Sequence, residues 1–104
     1  MNHMNTLDEA LVIVLEECAE VQKSITKILR FGRCDSQCGG NVDKLKNELI
    51  DLYVTSEVLS SILLVDLDIN SGNNRELYIA KVKKLLKNTT SLSPVLTEIL
   101  EDIE

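Results

Sequence analysis

From Thr6 to Phe31 the chain carries an unbroken run with the period of an α-helix. At 100° per residue, Leu7, Ala10, Leu11, Val14, Cys18, Val21, Ile25, Ile28 and Leu29 fall in one stripe. A stripe that long has to be covered along its whole side by another element, and the rest of the chain offers only more helix. "TLDE" has the form of a capping box, with Thr6 as N-cap and Glu9 three residues on, and Gly32 is placed as the C-terminal stop. After the loop "GRCDSQCGG" a second helix is expected from about residue 42 to 67, ended before "NSGNN". A third follows over about 75–87. Ser93 before Pro94, as N-cap and first turn, opens a fourth over about 94–104. No alternation of strand type reaches a useful length. The expected class is therefore all-α: a helical bundle of about four helices in a single domain spanning 1–104, with antiparallel neighbours because the connections are short.

Composition sets the limits. Only 3% of the residues are aromatic, which suits a core of Leu, Ile and Val packed between helices. A net charge of −6 argues against duplex nucleic acid as a partner, because phosphates are normally met with Lys and Arg. No apolar run approaches the roughly 20 residues of a membrane span, so no membrane partner is expected. "MNHMNTLDEA" has neither a charged nor an apolar leader region, and three cysteines is an odd number. Both point to a reducing, cytoplasmic setting. The second helix is apolar on almost every side, through Leu49, Ile50, Leu52, Val54, Leu59, Ile62, Leu64 and Val65. A chain of this length has few neighbours to cover it, so a homo-oligomer, dimer or tetramer, is expected.

The acids carry the chemistry. Glu16, Glu17 and Glu20 span about 100° of arc on the first helix, with Glu17 bordering the apolar stripe. Alone they read equally as a solvated face or as a cation site. Glu48 and Asp51 change that balance. They sit three residues apart on one face of the second helix, on the same arc as Leu52, Val58, Leu59 and Ile62. Carboxylates in a packing stripe are costly unless paired, hydrogen-bonded or metal-bound. Salt bridges to Lys44 or Lys27 are the plain alternative. If the two helices pack antiparallel, Glu17 and Glu20 confront Glu48 and Asp51. An oxygen-only ligand set of that kind suits Mg²⁺ or Mn²⁺.

"EECAE" at 16–20, followed after a 27-residue gap by "ELID" at 48–51, resembles the EExxE…ExxD motif of the MazG-like all-α nucleoside triphosphate pyrophosphohydrolases. "KILRFG" is similar to the short, phage-type members, and "AKVKKLL" to their third-helix lysine pattern. The resemblance covers about residues 6–87. It implies an oligomeric α-helical fold that cleaves nucleoside triphosphates to the monophosphate and pyrophosphate. By motif position it implies Glu17, Glu20, Glu48 and Asp51 as Mg²⁺ ligands, Glu17 and Glu16 as catalytic residues, and Glu16 as the group that orients or deprotonates the attacking water. Lys27, Arg30, Lys81 and Lys84 become the candidates to hold the triphosphate. "SLSPVLTEILEDIE" and the loop 33–40 match no feature of that family.

The bottom-up chemistry is compatible with this. Phosphoanhydride hydrolysis needs a metal to neutralise phosphate oxygens and acidify water, and there is no GxxxxGK[ST] to form a P-loop. Phe31, Tyr53 and Tyr78 are the only rings, and core packing is the expected role of each over stacking on a base. Cys34 and Cys38 lack enough partners for a zinc site, and Cys18 reads as a small core residue. His3 stands alone, which disfavours a di-iron bundle. Two non-enzymatic readings stay open: a catalytically silent helical module that binds a nucleotide or a protein, and a dimerising scaffold with an acidic surface.

Overall fold

The computed structural model describes residues 5–33 and 40–103, and all of its regular structure is α-helical. The helices are α1 (Thr6–Phe31), α2 (Asn41–Leu63), α3 (Asn74–Asn88) and α4 (Ser93–Ile103). They form two compact units, 1–65 with α1 and α2, and 66–104 with α3 and α4. His3, Cys34 and Cys38 lie outside the described residues.

In the first unit α1 and α2 pack antiparallel. The Asn41 side chain donates to the Gly32 carbonyl at one end, while Ala10 and Ile13 meet Thr55 and Val58 at the other. The start of α1 differs from the capping-box expectation by one residue. Asn5, not Thr6, is the N-cap: its Oδ1 accepts the Asp8 N–H at 2.7 Å, and Thr6 becomes the first helical residue. Asp8 and Glu9 complement the positive end of the helix and Arg30 the negative end. Gly32, at φ 80°, closes α1 by donating its N–H to the Ile28 carbonyl.

The second helix stops at Leu63, not at 67. Leu64 turns left-handed (φ 56°, ψ 40°), and the N–H of Val65 reaches back to the Ser60 carbonyl at 2.9 Å while that of Leu64 reaches Ser61. This is the Schellman pattern, formed here on a leucine where glycine is usual. Beyond it Asp66 and Asp68 each accept an N–H two residues on, from Asp68 and Asn70, and Asn74 donates to the carbonyls of both aspartates. The turn chemistry of 66–74 thus begins earlier than "NSGNN" suggests, because Asx side chains compete with the helix for backbone groups.

In the second unit the four-residue connection 89–92 reverses the chain, and the Arg75 guanidinium at the start of α3 donates to the Ile103 carbonyl at the end of α4. Both the N–H and the hydroxyl of Thr89 bond the Leu85 carbonyl, ending α3. The Leu96 N–H bonds the Leu92 carbonyl, so Leu92 occupies the cap position expected of Ser93, with Pro94 in the first turn.

Neither helix pair encloses a deep core. Among the described residues only Ala10, Val82 and Leu96 are buried hydrophobics. The α1 stripe holds at Leu7, Val14, Cys18, Val21 and Ile28, all half-buried, but fails at Leu29, which is 81% exposed. The rings expected in the core are largely outside it: Phe31 is 69%, Tyr53 67% and Tyr78 45% exposed. Two packed helices cover one side of each other and leave the rest open, whatever its polarity.

Candidate metal centre

Glu17 lies on the edge of the α1 stripe, and the antiparallel pairing brings its turn level with residues 48–51 of α2. Carboxylate oxygens of Glu17, Glu48 and Asp51 all lie within 4.8 Å of one another. Glu17 and Glu48 are half-buried and Asp51 is exposed, so the group sits at the rim of the helix interface with one side open.

The electrostatics are unbalanced. Oε2 of Glu17 is shielded from solvent and has no hydrogen-bond donor. Among the described residues none of the three carboxylates is met by a lysine or arginine, and neither Lys44 nor Lys27 forms the expected salt bridge. Burial, and then the charges of Asp51, Glu48, Glu20 and Glu16, raise the Glu17 pKa above its usual 4.5. A shielded carboxylate oxygen facing two further carboxylates, without a donor in reach, is what a hard divalent cation would satisfy. All candidate ligand atoms are oxygen, which suits Mg²⁺ or Mn²⁺ and disfavours zinc or copper.

The other expected residues divide into three groups. Glu20 is outside the mutually close set, and its charge acts on Glu17 from the next turn. It lies about 60° further round α1 than Glu17 and is exposed. Glu16 also acts on Glu17 by its charge and is exposed. Lys27 and Arg30 lie about three to four turns beyond Glu17 on α1, both exposed, with the Arg30 guanidinium 5.1 Å from the centre of the Phe31 ring. Lys81 and Lys84 lie exposed on α3, in the second unit.

One feature of this site was not anticipated. Ala10, Ile13, Thr55 and Val58 line an apolar hollow of about 80 Å³ between α1 and α2, one to two turns from the carboxylates. Its signal was Ile13, an apolar residue within the acidic arc of α1. Thr55 adds no free donor there, because its hydroxyl bonds the carbonyls of Asp51 and Leu52. No helix among the described residues is long and apolar enough to cross a membrane. No protein-family model matches this chain, and no curated protein or solved structure does.

Proposed function

We propose that this chain is a divalent-metal-dependent nucleotide pyrophosphohydrolase, cleaving ribo- or deoxyribonucleoside triphosphates to the monophosphate and pyrophosphate. The observation that carries the reading is the shielded, donorless Oε2 of Glu17 beside the carboxylates of Glu48 and Asp51. The resemblance of "EECAE…ELID" to the MazG-like motif supplies the reaction class.

On this reading Glu17, Glu48 and Asp51 hold the metal, with Glu20 on the adjoining turn as a further ligand. A bound Mg²⁺ or Mn²⁺ neutralises phosphate oxygens and lowers the pKa of a coordinated water. Glu16, exposed beside the cluster, accepts the proton of the attacking water. Lys27 and Arg30, on the same helix as Glu17, hold the triphosphate by charge. The protein works in the cytoplasm as a homo-oligomer.

The test is turnover of a panel of ribo- and deoxyribonucleoside triphosphates with Mg²⁺, read by chromatography for the monophosphate and pyrophosphate. Glu17→Gln and Asp51→Asn are run beside wild type. Metal-dependent turnover that both variants lose supports the assignment. A folded wild type that turns over no member of the panel rejects it and leaves the silent binding module.

A further inference from the structure

The hairpin of α1 and α2 changes the sign of its charge along its length. Residues 21–33 carry Lys23, Lys27, Arg30 and Arg33 and no acid, while every acid of α1 lies at or before Glu20. Lys23, Lys27 and Arg30 fall within about 60° of arc, on the side of α1 that also bears Glu16 and Glu20. All three are exposed, and among the described residues none of them is ion-paired. The start of α2 lies against this end, since the N–H and side chain of Asn41 donate to the carbonyls of Arg33 and Gly32. Lys44, exposed near that start, stands within about 20° of Asp51 round α2, so it adds a cation on the same side of the hairpin. Asp43, its neighbour in sequence, lies about 100° further round the helix.

An aromatic ring ends the row. Phe31 stands within about 20° of Glu20 round α1 and is 69% exposed, with the Arg30 guanidinium beside it. That combination suits a nucleic-acid strand: cations take the phosphates, and a ring stacks with a base whatever its identity. The scale suits a single strand. The helix rises about 10 Å from Lys23 to Arg30, and a stacked strand carries a phosphate about every 3.4 Å, so the row spans about three phosphates. Other anionic partners use less of it. A duplex keeps its bases inside, out of reach of the ring, and doubles the phosphate charge facing a chain of net charge −6. An acidic peptide has no base to stack. A membrane surface needs an apolar stripe beside the cations, whereas Leu29 projects from about the opposite side of α1 to Phe31.

We propose that the basic end of this hairpin binds single-stranded nucleic acid, with Lys23, Lys27, Arg30 and Lys44 on its phosphates and one base stacked on Phe31. Phosphate contacts and a stacking ring carry no sequence information, so the strand is taken without regard to its bases. Lys27 and Arg30 are shared with the triphosphate-holding role given above, and a strand and a nucleoside triphosphate compete for them. Lys23, Lys44 and Phe31 serve the strand alone. The contacts begin about 9 Å beyond Glu17 along α1, so binding rests on the cations and the ring and not on a metal.

Fluorescence anisotropy of a labelled oligothymidylate of about eight nucleotides, in EDTA and at low salt, tests it, with circular dichroism of each variant as a control on folding. Wild type should bind the strand, and more tightly than the duplex of the same length. Its affinity should fall with salt, with a log–log slope of about −2 to −3 for three or four phosphates. Lys23→Gln should weaken binding and make that slope shallower by about 0.7. Phe31→Ala should weaken binding roughly tenfold, and Phe31→Tyr should keep it. A folded wild type that binds no strand overturns the proposal. So does binding that Phe31→Ala and Lys23→Gln leave unchanged, or a duplex bound as tightly as the strand. Vesicles containing phosphatidylserine that displace the strand would assign this end to a membrane surface and overturn it as well. Metal is absent throughout, so a failed turnover assay leaves this result standing, and the reverse.

Discussion

Glu17 on α1 and Asp51 on α2 carry carboxylate oxygens within 4.8 Å of each other, with Glu48 inside the same limit and, among the described residues, no cationic side chain paired with them. Two helices that pack through an apolar stripe have every opportunity to turn such acids outward. Here both helices keep them at the seam. The metal-free unit therefore holds an electrostatic debt that protons or a divalent ion can cancel, and measurements of stability alone can find it.

Protons should cancel it first. The folded state binds the Glu17 proton more tightly than the unfolded chain, because its pKa is raised above 4.5. Stability of the metal-free protein should then fall as pH rises from about 4.5 through the raised value, and level off above it. Thermal midpoints in EDTA across pH 4–8 measure this. Glu17→Gln should flatten that limb and raise the midpoint at pH 7; an unchanged profile in the variant would reject the origin assigned here.

Asp66 should act in the opposite sense and in a lower window. The Ser71 hydroxyl, at 2.7 Å, and the Asp68 N–H hold its pKa below the usual 3.8. Its contribution is present above about 3.8 and is lost as pH falls through the depressed value. Ser71→Ala should raise the Asp66 pKa, visible by carboxyl NMR titration, and leave Glu17 unaffected.

Divalent cations should stabilise the protein at neutral pH. At 100 times its dissociation constant a ligand bound only by the folded state adds about 2.7 kcal/mol. Mg²⁺ or Mn²⁺ titrated against the thermal midpoint should show that saturable rise. Glu48→Gln and Asp51→Asn should each weaken it by an order of magnitude or more, while Glu57→Gln, on the opposite face of α2, should not.

Leu64 should be replaceable with profit. It holds a left-handed conformation that costs an L-residue about 1–2 kcal/mol, and at 92% exposure it returns little packing. Leu64→Gly should stabilise the first unit by about 1 kcal/mol, after the added freedom of glycine in the unfolded chain is deducted. Urea unfolding followed by circular dichroism gives the sign directly.

Asn5→Ala should cost about 1 kcal/mol through loss of the bond to the Asp8 N–H, with Thr6→Ala nearly neutral. Equal losses at both positions would restore Thr6 as the cap.

The sequence by itself determined the helices and the faces their acids occupy. The spacing of Leu7 to Ile28 allows only one buried side for α1, and on that helix Glu17 borders it while Glu20 does not. Glu48 and Asp51 are bound to share a face by their three-residue separation. Packing decided which acids meet. The stagger that sets Ala10 against Thr55 and Val58 places Glu17 level with residues 48–51, and it depends on how side chains of two helices interlock rather than on either helix's own period. The ends of the helices were also settled in three dimensions. Nothing in "LLVDLD" forbids another turn of helix, and α2 stops where Val65 finds the Ser60 carbonyl and the Asp66–Asn74 turn takes up the following backbone groups. A periodic pattern states which side of a helix is buried; only the packed chain states what stands opposite and where the last hydrogen bond is made.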